Sequence, residues 1–201
     1  MRLMSSDAPA DGRLEQADGQ WQLRFTRAYA HPRDRVWRAV TEAEHLAAWF
    51  PQRITGEWAP GAELVFADPQ GRGPDFTGKV LRCEPPVLLE FRWGTDVLRF
   101  ELAETGGGCT LTLLDILTER GTAARTAAGW HECLDRLACE LAGQPVPFAA
   151  GERWAEVHPG YVAAFGPEAS AIGPPPGYEP AAASAADLGP AQPRSRPGRA
   201  P

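Results

Sequence analysis

Two side chains in this sequence have the type and placement for acid–base chemistry, Asp115 and His131. Asp115 follows Leu111 and Leu113 at strand spacing, which puts its carboxyl on the same inward face if the alternation holds. A carboxyl facing an apolar interior can orient a ligand or act as a base, because desolvation draws its proton affinity toward neutrality. Unpaired acids are rarely buried, so the favoured expectation is a β-bulge before Leu114 that turns Asp115 to solvent. His131 adjoins Trp130 on an apolar helical stripe and could hydrogen-bond a ligand or move a proton. Its competing reading is a surface pair with Asp135 one turn later, stabilising by roughly 0.2–0.5 kcal/mol. The catalytic assignment stays open between these readings, with an enzyme the less favoured outcome.

Other chemistries find little support. Four cysteines (Cys83, Cys109, Cys133, Cys139) and four histidines (His31, His45, His131, His158) are scattered, without HExxH or paired zinc spacing. Reduced buried thiols, no metal and no cofactor are expected. There is no nucleophile elbow, phosphate-binding loop or dinucleotide fingerprint, and Gly106-Gly107-Gly108 reads as a hairpin turn. The net charge of -6 opposes tracking of a phosphate backbone, which argues against nucleic acid as a partner. No apolar run reaches the length of a membrane span, and residues 1–19 lack the apolar stretch of a signal peptide. A cytoplasmic protein without membrane insertion is the resulting expectation.

The elements that must position the two candidates follow from periodicity. Trp21, Leu23 and Phe25 alternate with polar residues, predicting a strand over 21–30. Pro32 to Val40 reads as a short amphipathic helix, and Thr41 with Glu44 three residues on forms a capping box for a second one carrying Leu46 and Trp49. From Arg53 to Ile116 short apolar runs alternate with Pro- and Gly-rich turns, the pattern of an antiparallel meander. Gly94-Thr95 suits a two-residue turn, whose register sets Trp93 opposite Asp96, Phe91 opposite Leu98, Leu89 opposite Phe100 and Glu90 opposite Arg99. Apolar meets apolar and acid meets base, and a one-residue slip would destroy both matches. A long helix over 122–142 then carries Trp130, Cys133, Leu134, Leu137 and Leu141 along one face, stopped by Gly143.

One helix against one antiparallel sheet is an α+β arrangement. The aromatic and aliphatic residues of its inner faces, Trp49, Trp58, Phe76, Phe91, Trp93, Phe100, Leu113, Trp130, Leu134 and Leu137, are the candidate walls of a ligand cavity. Close packing of interiors assigns about two-thirds of the aromatics to plain core. Domain organisation reads as a disordered segment over 1–19, the domain over 20–145, a helical appendage over 146–168 around Trp154 to Phe165, and a disordered Ala/Pro/Gly-rich tail over 169–201.

The order strand, two short helices, antiparallel strands and long closing helix resembles the START-like or SRPBCC superfamily, whose helix-grip fold is also called Bet v 1-like. The resemblance is nearest to its Hsp90-ATPase-activator-homologue branch. It is carried by Pro32, Val36, Trp37 and Ala39, by Leu46-Ala47-Ala48-Trp49-Phe50, by Pro60-Gly61, by Gly78, Glu84-Pro85-Pro86, Leu89, Phe91 and Trp93, and by Gly129-Trp130, Leu134 and Leu137. The resemblance implies a curved sheet and helix enclosing a cavity for a small apolar ligand. It also implies two alternatives: a cyclase, aromatase or hydrolase-like enzyme using the same cavity, and a co-chaperone-like protein-interaction module. Homodimerisation is compatible with this pattern.

Overall fold

The alternation of apolar and polar residues is expressed as eight strands. The computed structural model describes residues 11–71 and 73–173. Its strands are β1 (Arg13–Ala17), β2 (Gln20–Tyr29), β3 (Arg53–Gly56), β4 (Glu63–Ala67), β5 (Phe76–Glu84), β6 (Leu88–Trp93), β7 (Asp96–Thr105) and β8 (Gly108–Leu117). Helices α1 (Arg33–Thr41) and α2 (Ala43–Trp49) lie between β2 and β3, while α3 (Ala123–Ala142) and α4 (Glu152–Phe165) follow β8. The strands form one antiparallel sheet in the order β1-β2-β8-β7-β6-β5-β4-β3, curved around α3. This is the α+β helix-grip architecture expected from the sequence.

The β6–β7 hairpin has the expected register. Phe91 faces Leu98, Leu89 faces Phe100, Trp93 faces Asp96 and Glu90 faces Arg99. On the inner face Leu89, Phe91, Leu98 and Phe100 are at most 1% exposed, and Phe25, Leu111 and Leu113 continue that surface across β2 and β8. Against it α3 buries Trp130, Leu134, Leu137 and Leu141. Each such side chain fully removed from water stabilises the fold by roughly 1.5–3 kcal/mol. Gly143 ends α3 at φ 63°, in the left-handed region where glycine carries no Cβ penalty.

Four expectations are corrected. Asp115 is fully buried, because β8 runs without a bulge against both neighbours, with Asp115 opposite Leu23 and Leu98. A hydrogen bond from α3, not visible in the strand's own sequence, offsets part of the burial cost. The capping box is not formed: the Thr41 hydroxyl donates back to the Trp37 carbonyl at 2.8 Å, and α2 begins after Glu42 with no side-chain cap. Residues 13–17 are not part of a disordered segment but make β1, with Leu14 paired to Leu23. Finally, residues 167–170 form a 3-10 turn with Ala169 fully buried, and the Ile172 N–H donates to the Gly121 carbonyl at 3.0 Å. The rest of the expected tail, 174–201, lies outside the described residues, as do 1–10.

Candidate functional site

The start of α3 buries Ala123, Ala124, Ala127 and Ala128 in the core and turns Arg125, Thr126 and Gly129 toward the β6–β7 turn. The space left there is an open pocket of about 520 Å³. Its walls include the indoles of Trp93 and Trp130, whose centroids stand 5.4 Å apart with the rings inclined at 54°, and Trp154 of α4. Gln52, Asp96, Glu119 and Thr126 supply polar lining.

Behind Trp130 sits the Asp115 carboxyl. The Trp130 Nε1–H donates to Asp115 Oδ2 at 2.7 Å, while Oδ1 is buried without a partner. Burial pushes this carboxyl up to about 8; the Asp96 charge acts in the same direction and the Trp130 hydrogen bond opposes both. At neutral pH the side chain is therefore mostly the neutral acid, which removes the largest cost of burying it. A buried acid near neutrality can donate or accept a proton, but the indole of Trp130 stands between it and the pocket. Cys133 also lines the pocket, with burial pushing its thiol up to about 12, so it is not an activated nucleophile.

His131 faces elsewhere. It is 4% exposed, and Nδ1 lies 2.9 Å from the Tyr161 hydroxyl and 3.2 Å from an Asp11 carboxylate oxygen. Nε2 lies 3.3 Å from an Arg153 guanidinium nitrogen and 3.6 Å from Asp135 Oδ2. Arg27 joins the cluster by pairing with Asp11 at 2.6 Å and Asp135 at 3.1 Å. Burial works to raise the Asp11 carboxyl, yet the His131 hydrogen bond and the Arg27 charge hold it below its ordinary range. This network ties the lead into β1, β2, α3 and α4 together. It gives His131 a structural role and includes the expected contact with Asp135, inside a buried cluster and not at the surface.

Of the ten candidate wall residues, Trp93 and Trp130 line the pocket. Leu113, Leu134 and Leu137 are core, at most 1% exposed. Phe91 stacks on Phe100 at 6.1 Å, Trp58 leans on Phe91 at 5.3 Å, and Trp49 meets Phe100 edge-on at 6.1 Å. Phe76 stacks at 5.1 Å on Phe66. The residue that closes this part of the interior is Phe50, at the C-terminal cap of α2, whose ring lies within 6.5 Å of the rings of Trp49, Phe66, Phe91, Trp93 and Trp130. Sequence reading missed Gln52, Asp96, Glu119 and Thr126 because each is polar and stands outside the apolar stripes that mark inner faces. Among the described residues, Glu42, Glu44 and His45 bring potential metal-ligand atoms within 4.8 Å of one another. Glu42 is already paired with Arg38, and His45 Nδ1 with Glu140 at 2.7 Å.

A curved antiparallel sheet closed by a long helix, with a pocket at the helix's first turns, defines a helix-grip protein of the ligand-binding SRPBCC class. The model of the family of Activator of Hsp90 ATPase homolog 1-like proteins matches residues 30–142, and the chain belongs to that family. Among solved structures, CalU16 from Micromonospora echinospora is 26% identical, with 77% of this chain and 94% of that chain covered and a TM-score of 0.59. The protein encoded by gene BPP1335 from Bordetella parapertussis is 31% identical, with 79% and 94% covered and a TM-score of 0.57. DynU16, a protein of the dynemicin biosynthetic locus, is 30% identical over 62% of this chain and 48% of that chain, with a TM-score of 0.55. No curated protein matches the chain. No helix among the described residues is long and apolar enough to cross a membrane.

Proposed function

We propose that this protein binds a small, largely apolar molecule in the pocket between the β6–β7 turn and the start of α3, and holds it without chemical conversion. The observation that carries this reading is the pocket of about 520 Å³ walled by Trp93 and Trp130 in a fold whose remaining inner face is filled by aromatic packing. That volume suits a ligand of drug-like size. Thr126 and Gly129 of α3 leave room for the guest, and the partly exposed Trp93 gives it apolar surface. The Trp154–Phe165 segment, which would support a protein-docking module if its apolar side were free, buries Trp154, Val157 and Tyr161 on its own domain.

A catalytic reading rests on one further observation, the unpartnered Oδ1 of Asp115. Proton transfer from it requires Trp130 to turn aside once a ligand is bound. Native mass spectrometry of the full chain purified from its own source, followed by extraction, tests the binding reading. A stoichiometric small-molecule companion is expected, released unchanged. An empty protein that takes up no apolar compound would contradict the proposal, and release of an altered compound that Asp115→Asn leaves unaltered would favour catalysis.

A further inference from the structure

The pocket's hydrogen-bonding sense selects the charge of its guest. All three indole N–H groups are turned to protein acceptors: Trp93 donates to Gln52 Oε1 at 3.0 Å, Trp130 to Asp115 at 2.7 Å and Trp154 to the Arg125 carbonyl at 2.9 Å. With those positive edges engaged, the partly exposed Trp93 ring presents carbon and π surface, which repels anions and attracts cations. The Thr95 and Thr122 hydroxyls donate to Asp96 Oδ1 and to the Glu119 carbonyl. The donors left to a guest besides Arg125 are neutral ones, the Gln52 amide and the Thr126 hydroxyl.

The charged lining has the opposite character. Asp96, Glu119 and Glu132 line the pocket with one cation among the described residues, Arg125. Glu132 belongs to the fold, since it accepts from the Gly151 and Trp154 N–H groups and pairs with Arg136. Arg125 is anchored through one nitrogen, which donates to the Gly173 carbonyl at 2.9 Å. Asp96 and Glu119 accept the Thr118 and Gly121 N–H groups through Oδ1 and Oε1, so their carboxylates are held in place at the rim.

We infer that the pocket takes a flat apolar molecule bearing a positive charge, an aromatic or polycyclic amine, with its ring system against the wall that Trp93 forms with Trp130 and its ammonium toward Asp96 and Glu119. This inference rests on the proposed binding function and adds the charge of the ligand. A carboxylate within a few ångströms of an ammonium, at the edge of an apolar pocket, favours binding more than the same pair in water would. The charge discriminates between ligands, while the indoles set the affinity they share.

Three probes of one size, 2-naphthylmethylamine, 2-naphthalenemethanol and 2-naphthoate, separate these contributions when titrated into the full chain by calorimetry at pH 7. The amine is expected to bind about tenfold more tightly than the alcohol, and the carboxylate more weakly than either. In the double variant Asp96→Asn/Glu119→Gln, both replacements keep an acceptor oxygen for Thr118 and Gly121, so the fold is retained. There the amine is expected to fall to within about twofold of the alcohol, whose affinity is unchanged. Rising salt should weaken the amine alone. Equal binding of amine and alcohol by the unaltered protein would overturn the charge inference and leave the pocket reading standing. Binding of none of the three would overturn both.

Discussion

Trp130 gives its indole N–H to one oxygen of Asp115 across 2.7 Å, and the other oxygen of that carboxyl meets no partner. The pair joins the pocket wall to the centre of the sheet. It also explains how β8 can bury an acid in perfect register: a single hydrogen bond and a retained proton together make the carboxyl tolerable inside.

The pH dependence of stability follows from that proton. In the folded state the Asp115 carboxyl lies at about 8, against an ordinary value of 3.8. The folded protein therefore holds a proton that the unfolded chain releases, and stability falls as pH rises from about 4 to about 8. The slope from this one group has a ceiling of about 1.4 kcal/mol per pH unit. Asp115→Asn keeps an acceptor for Trp130 and cannot ionise. Urea unfolding at pH 5.5 and pH 8.5 is expected to show the unsubstituted protein losing stability relative to the variant; parallel curves would mean that Asp115 titrates normally.

Replacing Trp130 with phenylalanine removes the N–H and part of the ring. A loss of about 2–4 kcal/mol is expected from the cavity and the orphaned acceptor. Because the indole hydrogen bond lowers the Asp115 carboxyl, the pH at which stability levels off should also move upward. Denaturation midpoints measured across pH 6–10 distinguish this from simple loss of packing.

Tyr161 closes the network over His131. Its hydroxyl accepts from the Gly12 N–H at 3.2 Å, donates to Asp11 at 3.3 Å and meets His131 at 2.9 Å. Tyr161→Phe keeps the ring and leaves these groups without it, at a cost of about 1–3 kcal/mol. Hydrogen exchange should rise first in β1 and α4, whose attachment depends on the cluster, and remain low in β6 to β8.

Gly78 has a requirement that no side chain meets. A Cβ there would lie 2.1 Å from the Arg92 carbonyl oxygen and 2.8 Å from the Phe66 ring. Backbone cannot yield as a flexible side chain does, so Gly78→Ala is expected to destabilise by about 1–3 kcal/mol or more, measured by thermal unfolding. An unchanged midpoint would mean that β5 and β6 separate more easily than this contact implies.

The fold was legible where local patterns agreed with one another. The β6–β7 register could be read because both the apolar pairs and the Glu90–Arg99 pair demand the same alignment. Strand β1 was not, since Arg13-Leu14-Glu15-Gln16-Ala17 carries one large apolar residue and is defined by its pairing with β2. The candidate site was legible only in Trp93 and Trp130. Asp115 was misjudged because its partner is fifteen residues away on a helix, and the His131 cluster because its members run from Asp11 to Tyr161. Phe50 belongs to the recognised Leu46–Phe50 segment, yet nothing local to it announces that its ring fills the space a deep cavity would need.

The seven tryptophans allow the proposed ligand site to be tested in place. Indole ¹H–¹⁵N signals of the labelled full chain, followed while 2-naphthalenemethanol is added, report on pocket and core separately. Trp93, Trp130 and Trp154 line the pocket, whereas Trp49 and Trp58 donate to the Ala39 and Thr41 carbonyls inside the aromatic core. Saturable shifts are expected at the first three, with Trp49 and Trp58 holding still. Shifts centred on Trp49 and Trp58, or none at any indole at saturating probe, would contradict a ligand site walled by Trp93 and Trp130.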